Sequence, residues 1–291
     1  MKIYTLGNGF IASHLPYSPI LDRVSPNEKQ IKELLAWYKP DIIINCIGYC
    51  GIPNIDQCEI EKEKTHTANV VIPTMFAREC EKLGIRFIHL GSGCIMYGQS
   101  PHGRDEMHCL LWDDAIPYKV RIDTGWKETD LAAPLSYYSE TKYIAENNLK
   151  DMKNTTILRL RMPISSKKHP RNLLNKLIKY KQVLDEPNSM TFVSDLVNAI
   201  DFVINKELYG IYNVASPLPL KHSYLLEEYR KHVPSHWYQR ISKETLDKMV
   251  IAPRSNCILD MSKIINEGFK FGDTDTLVRE CIKNYIKEIN G

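Results

Sequence analysis

Asp41-Ile42-Ile43-Ile44-Asn45-Cys46-Ile47 is an apolar run with no alternation. A strand that faces water on one side alternates apolar with polar residues. A run like this one predicts a strand covered on both faces, the setting of a parallel sheet between two helical layers. Lys2–Leu6, Ile85–Leu90 and Thr155–Leu160 are further short strand-like runs. Between them lie segments of helical spacing: Asn27–Tyr38, with Ile31, Leu34, Leu35 and Tyr38 on one face, then Thr65–Leu83 and Tyr137–Met152. Pro40 breaks the first of these, and Gly84 closes the second, although Pro73 falls inside it. Strand and helix in alternation predict an α/β fold, a Rossmann-like doubly wound parallel sheet.

The second half is less regular. Arg171–Tyr180, Val193–Asn205, Leu225–Lys231, Lys243–Val250 and Thr276–Ile289 have helical spacing, and Ile211–Val214 reads as a late return strand. A boundary near Pro163 divides a Rossmann domain over 1–163, completed by the return strand near 211–214, from a smaller C-terminal α/β domain over 164–291. The segment from Tyr97 to Asp130 has little periodicity, and reads either as a lid or binding loop or as a surface insertion. With 38 Lys+Arg against 35 Asp+Glu, the net charge of +3 and the lack of a dense basic run give no sign of nucleic acid as a partner. No stretch approaches the roughly 20 apolar residues of a membrane span. The N-terminus runs straight into a strand-like segment, which predicts no signal peptide and a cytoplasmic protein. None of the eight cysteines forms a C-x-x-C pair, so no metal site is expected, and several sit in apolar runs as they do in reduced, intracellular chains.

Three motifs carry chemistry. Gly7-Asn8-Gly9-Phe10-Ile11-Ala12 follows the first strand as G-x-G-x-x-A. Such a turn lets the backbone approach a pyrophosphate, with the next helix N-terminus supplying free N–H donors. Pro16 and Pro19 require that helix to be short. Asp22 is placed to hold ribose hydroxyls, and Arg23 beside it to receive a 2′-phosphate, so the sequence leaves NADH and NADPH both open. Tyr138-Ser139-Glu140-Thr141-Lys142 puts a phenol and an ammonium on one helix face, where the lysine is expected to lower the tyrosine pKa. Ser92 and Cys94 follow the strand Ile85–Leu90, at the end of a parallel strand where such sheets bind ligands. A serine there can hold a carbonyl oxygen. A thiol there reads either as core packing or as an acid or base for the adjacent carbon, and the second role needs a cation nearby.

Ser92, Tyr138 and Lys142, with the glycine turn, resemble the catalytic set of the extended short-chain dehydrogenase/reductase superfamily. Asn45-Cys46-Ile47-Gly48 is similar to its strand-4 adenine-side motif, and Asn69 stands where that family has an active-site asparagine. The runs Arg159–Ser166, Pro170-Arg171-Asn172, Pro187–Thr191 and Ala252–Asn256 with Leu259-Asp260, and Gly125-Trp126-Lys127-Glu128, resemble one subgroup. This is the bifunctional UDP-4-keto-6-deoxyglucose 3,5-epimerase/4-reductases of plants and large viruses, which make UDP-L-rhamnose, relatives of dTDP-4-dehydrorhamnose reductases and GDP-fucose synthases. The chain departs from the subgroup in a shorter glycine turn, a stunted first helix and an apparent insertion over Pro101–Val120.

The resemblance implies NADPH or NADH as cofactor, held by Gly7, Asn8, Gly9, Phe10, Ile11, Asp22 or Arg23, Cys46, Ile47, Gly48, Asn69, Tyr138, Lys142, Arg161 and Pro163. It implies a UDP-4-keto-6-deoxy sugar as substrate, touched by Ser92 and Asn172 and gripped at its diphosphate by Arg254. It makes Cys94 an epimerisation acid/base, with Lys176 as its partner and His169 as the rival. It also implies a homodimer. The readings set against it are a reductase without epimerase activity, a different nucleotide sugar, and a binding protein that senses NAD(P) or a nucleotide sugar without turnover.

Overall fold

The computed structural model describes residues 1–102 and 125–290. Most of the apparent insertion, with Gly103, Arg104, Cys109 and Pro117, lies outside the described residues. The strands are β1 (Ile3–Leu6), β2 (Ser18–Ile20), β3 (Ile42–Asn45), β4 (Arg86–Ser92), β5 (Thr155–Leu160), β6 (Gln182–Leu184), β7 (Gly210–Val214) and β8 (Gln239–Ile241). Six of them form one parallel sheet in the order β2-β1-β3-β4-β5-β7, and β6 pairs with β8 apart from it. The fold is the doubly wound α/β arrangement that the alternation predicts. The return strand is β7, which pairs with β5 from Thr156↔Gly210 to Leu160↔Val214.

The helices are α1 (Glu28–Tyr38), α2 (Asp56–Ile60), α3 (Lys62–His66), α4 (Ile72–Lys82), α5 (Tyr137–Leu149), α6 (Leu173–Leu177), α7 (Val193–Asn205), α8 (His222–Arg230), α9 (Lys243–Asp247), α10 (Ser262–Asn266) and α11 (Thr274–Asn290). The isoleucines of β3 show why the sheet is covered on both sides. Ile42 and Ile44 enter a core shared with Ile88, Leu158 and the α7 residues Leu196, Ile200 and Val203. Ile43 points the other way, into a core with Phe87, Ile157, Ile31 and Leu35 of α1, and Phe76 and Cys80 of α4. Successive strand residues face opposite sides, so a run with no polar member has no wet face. Each fully buried isoleucine contributes on the order of 1.5–3 kcal/mol.

Local chemistry sets the ends. Asn27 caps α1 by accepting the Gln30 N–H at 3.1 Å, and Lys39 ends it in the left-handed region at φ 46°. The Thr65–Leu83 segment is helical but interrupted, with a wide π turn over Thr67–Val71 between α3 and α4. Pro73 sits in the first turn of α4, where a missing N–H is tolerated. β2 is not visible in the sequence pattern. It has three residues, includes Pro19 and lies at the sheet edge, the one place in a sheet that accepts proline.

A second core lies beyond Met162. Ile164, Leu177, Val183, Met190 and Phe192 pack with Leu225 and Leu226 of α8 and with Val278, Ile282 and Tyr285 of α11. The Arg171–Tyr180 pattern yields only the five residues of α6. Its start is fixed by Asn172, whose buried amide accepts the N–H groups of Ser165 and Leu174 at 3.2 Å and donates to the carbonyls of Ser165 at 2.6 Å and Lys167 at 2.8 Å.

Candidate active site

The C-terminal ends of β1, β3 and β4 lie side by side, and the strand order reverses at β1, which is where open α/β sheets bind ligands. β4 ends in Ser92, whose Oγ accepts the Cys94 N–H at 3.1 Å and so caps a short 3-10 turn over Gly93–Ile95. That cap uses a serine lone pair and leaves its proton free to be donated. Ser136 caps α5 by accepting the Ser139 N–H at 3.2 Å, which sets the register of Tyr138 and Lys142 one turn apart on the face toward β4.

The Tyr138 hydroxyl lies near Ser92. Burial, then the nearby sulfurs of Cys94 and Cys50, push the phenol well above its ordinary pKa, and the nearby Ser92 opposes them. The sequence expectation was the reverse, a phenol lowered by Lys142. The correction has a physical reason: Lys142 is itself buried, which pulls its pKa down to about 8 against the raising influence of Glu146. Lys142 Nζ donates to the Leu90 carbonyl at 2.9 Å and lies 3.4 Å from His89 Nε2. His89 is buried, held neutral by desolvation, and its Nδ1 is 2.9 Å from the Asn45 amide nitrogen.

Cys94 is partly exposed, and Arg161 Nη1 donates to its Sγ at 2.8 Å. Arg161 was expected beside the cofactor. Its guanidinium turns instead to the Cys94 side, where it also reaches Asn188 Oδ1 at 2.9 Å and the Ser255 carbonyl at 2.5 Å. Pro163 accepts the Leu173 N–H at 3.1 Å through its carbonyl, at the seam with the second core.

Gly7 adopts φ +88°, and a Cβ there would stand 3.2 Å from Ile47 Cγ1. A Cβ on Gly9 would meet nothing within 4 Å. The turn is therefore closed against the residues that follow β3 on one side and open on the other. The helix expected after it is a single 3-10 turn, Ala12–His14, so no helix N-terminus of any length stands there. Phe10 stacks on His169 with centroids 5.0 Å apart, and His14 Nε2 is 2.7 Å from Ser165 Oγ. Asn69, on the π turn, accepts the Tyr49 N–H at 2.7 Å and donates to the Tyr49 carbonyl at 2.9 Å and to Thr141 Oγ1 at 3.0 Å. Its amide is spent on tying the loop after Gly48 to α5. Asp22 accepts from the Tyr38 hydroxyl at 2.8 Å, while Arg23 is exposed and has no ion pair among the described residues.

The residues expected to touch a substrate are more occupied than the sequence suggests. Asn172 is fully buried and bonded to backbone, so its side chain offers nothing to a ligand. Arg254 makes a two-point ion pair with Asp56, at 2.7 and 3.0 Å. Burial raises the Asp56 pKa, but Arg254 and the Ala252 N–H outweigh it and hold the carboxyl below its usual range. Lys176 is half-buried on α6, and desolvation, with Arg171 and Arg254 nearby, lowers its pKa against the pull of Cys50. His169 is engaged with the glycine turn and accepts the Arg171 N–H at 3.0 Å. Cys50 lies near Tyr138 and Lys142, a neighbour that the sequence does not point to. It accepts from Arg171 Nη1 at 2.8 Å, and the two are 121 positions apart, so no local pattern could pair them.

A parallel sheet with a glycine turn on its first strand, and with serine, tyrosine and lysine gathered at the end of β4, defines the extended short-chain dehydrogenase/reductase class. Within that class, the model of the RmlD substrate binding domain matches residues 21–209, and the chain belongs to this family. It is 35% identical over 232 residues to a bifunctional dTDP-4-dehydrorhamnose 3,5-epimerase/dTDP-4-dehydrorhamnose reductase of Arabidopsis thaliana, covering 79% of this chain and 72% of that protein. It is 34% identical over 232 residues to a trifunctional UDP-glucose 4,6-dehydratase/UDP-4-keto-6-deoxy-D-glucose 3,5-epimerase/UDP-4-keto-L-rhamnose-reductase of the same plant, of which the match spans only 32%. Among solved structures, the UDP-rhamnose synthase of Acanthamoeba polyphaga mimivirus shares the fold at TM-score 0.84 and 23% identity, over 97% of this chain and 99% of that one. The dTDP-4-dehydrorhamnose reductase of Bacillus anthracis, solved with NADP, shares it at TM-score 0.78 and 18% identity, over 98% of each.

Proposed function

We propose that this chain is an NAD(P)H-dependent nucleotide-sugar epimerase/reductase that converts UDP-4-keto-6-deoxy-D-glucose to UDP-L-rhamnose. The observation that carries the reading is the meeting of Ser92, Cys94, Tyr138 and Lys142 at one strand end, with a protonated phenol and a cation-paired thiol around the same point. The names of the relatives, which join 3,5-epimerase to reductase, support it.

The residues present fit a dinucleotide. The left-handed Gly7 and the open face at Gly9 leave a backbone cradle next to Cys46, Ile47 and Gly48. Gly7–Ile11 would hold the diphosphate, Asp22 or Arg23 the adenosine ribose, and Tyr138 with Lys142 the nicotinamide ribose. Bound there, the reduced cofactor supplies the hydride that the ketone carbon takes up.

A C4 ketone acidifies the C–H bonds at C3 and C5. Cys94 removes one proton as the C–H bond breaks and an S–H bond forms, and the electron pair moves onto the C4 oxygen. Ser92 and Tyr138 donate hydrogen bonds to that oxygen, where charge develops. Lys176 returns a proton from the opposite face and inverts the carbon. Its place beside Cys50 and Arg171 suits it to this better than His169, which is stacked on Phe10. Reduction then needs a proton on the C4 oxygen, and a phenol that burial keeps protonated is the donor. Arg254 reaches the substrate diphosphate by exchanging Asp56 for it. A cytoplasmic homodimer through α5 belongs to the same reading, and no described helix is long and apolar enough to cross a membrane.

Incubation with UDP-4-keto-6-deoxyglucose and each reduced cofactor, followed by NMR of the product, tests the proposal. UDP-L-rhamnose is the expected product. A product reduced at C4 without inversion leaves a reductase only, and no turnover over a panel of keto-sugar nucleotides favours a sensor. Cys94→Ala should abolish deuterium uptake from heavy water at C3 and C5, and exchange at the native rate removes Cys94 from the mechanism. Tyr138→Phe should slow ketone reduction by about 10²–10⁴-fold while the fold survives; near-native cofactor oxidation would refute the tyrosine's role.

A further inference from the structure

An acid and a base, Asp22 and Arg23, follow β2 side by side, and they suit different dinucleotides. A carboxylate in this place accepts from the ribose hydroxyls and repels a 2′-phosphate, whereas a guanidinium pairs with that phosphate. The strand register brings the pair to the glycine turn. Leu6 stands level with Ile20, so the chain leaves β2 beside the point where it leaves β1 for Gly7. The backbone just beyond is fixed by α1. Gln30 Nε2 donates to the Arg23 carbonyl at 2.8 Å, and Gln30 Oε1 accepts the Ser25 N–H at 2.9 Å and the Ser25 hydroxyl at 2.6 Å.

The acid is committed elsewhere. Asp22 Oδ2 accepts from the Tyr38 hydroxyl at 2.8 Å. Asp22 also lines a surface hollow of about 360 Å³ whose other walls, Gln30, Glu33, Leu34 and Trp37, all belong to α1. Packing holds the donor in place. The Tyr38 ring meets Tyr4 of β1 edge-on, with centroids 5.2 Å apart, and both rings pack with Val24 against the core of Ile31, Leu34 and Phe76. The last residue of α1 thus draws the carboxylate to the helix. Arg23 is exposed and has no ion pair among the described residues. Neither Gly7–Ile11 nor Cys46–Gly48 contains an acid. The chain beside the glycine turn therefore offers a guanidinium and no free carboxylate.

We propose that Tyr38 is a positioning residue that selects the cofactor: it holds Asp22 against α1 and leaves Arg23 to receive an adenosine 2′-phosphate, so that the chain takes NADPH in preference to NADH. This deepens the function proposed above and rests on its reading of the glycine turn as a dinucleotide site. Adjacent residues of opposite charge leave the choice open in the sequence. A hydroxyl 16 positions away closes it, because it occupies one of the two.

Equilibrium titration of the full chain with NADPH and with NADH, read by nicotinamide fluorescence with no sugar present, tests the proposal. The native chain should bind NADPH more tightly than NADH by about tenfold or more. Equal affinities, or tighter NADH, overturn the proposal. Arg23→Ala should remove the preference by weakening NADPH, and a preference that survives overturns the part given to Arg23. The loss of NADH affinity in Asp22→Asn should stay under about twofold, and a loss of about tenfold puts that carboxylate on the ribose and overturns the proposal. Tyr38→Phe keeps the ring on Tyr4 and releases the acid. The preference for NADPH should then fall by about threefold or more, and adding Asp22→Asn to Tyr38→Phe should restore it. An equal loss for both cofactors, or a fall that Asp22→Asn does not restore, means that Tyr38 only supports the fold and refutes its part in selection. The two levels separate cleanly. A chain that binds neither dinucleotide sinks the function proposed above together with this inference. A chain that binds both equally and makes UDP-L-rhamnose from either overturns this inference alone.

Discussion

Lys142 holds its amine where packing disfavours charge. Desolvation brings its folded pKa to about 8 from the ordinary 10.5. Between those pH values the unfolded chain binds the extra proton, so stability rises with pH, and below about pH 8 the penalty stands at full size. Lys142→Met should therefore stabilise the chain at pH 7 by about 1–3 kcal/mol, less the lost bond to the Leu90 carbonyl, while ketone reduction collapses. Urea melts at pH 7 and at pH 10.5 check this, because the variant's advantage should vanish at the higher pH. A variant less stable than the native chain at pH 7 would show that the Leu90 bond outweighs desolvation. The Tyr138–Lys142 pair was legible as a four-residue spacing on one helix face. Its protonation states were not, because they depend on how deeply the pair is buried.

α5 carries both of those residues, and it is anchored from its inner face. Glu146 receives Arg159 Nε and Nη2, each at 2.7 Å, and Arg159 also donates to the carbonyls of Lys127 at 3.3 Å and Glu128 at 3.2 Å. One arginine on β5 thus holds α5 and the Trp126–Glu128 segment together. Glu146→Gln should cost about 3–5 kcal/mol, since it strands a buried guanidinium, and the double change Glu146→Leu with Arg159→Met should cost much less. Guanidinium denaturation of the three chains measures this, and a Glu146→Gln loss under 1 kcal/mol would mean that the carbonyls alone suffice. Helical spacing located α5 and α7 because long amphipathic helices repeat one signal. It overextended α6, whose start is set by the buried amide of Asn172, and it missed β2, which is too short to show a period.

Across the molecule, two histidines stand where charge is disfavoured, His89 buried and His222 half-buried. His222 is lowered to about 4 by desolvation, its Nε2 has no partner among the described residues, and His89 is held well below its ordinary value. Unfolding frees both to take protons, so stability should fall as pH drops below 6.5, by on the order of 3 kcal/mol from His222 alone by about pH 4. Thermal melts from pH 7 to 4 on the native chain and on His222→Gln check this. The variant should show a shallower decline, and parallel curves would acquit His222.

Periodicity is a local property, so the amino-acid order alone determined the two-faced sheet, the glycine turn, and the placing of Ser92, Cys94, Tyr138 and Lys142 at strand and helix ends. Tertiary structure decided which charges meet. Arg161 and Cys94 are 67 positions apart, Arg171 and Cys50 are 121 apart, and Arg254 and Asp56 are 198 apart. Such pairs form only when separate elements pack, and the burial that packing imposes then fixes which groups keep their protons.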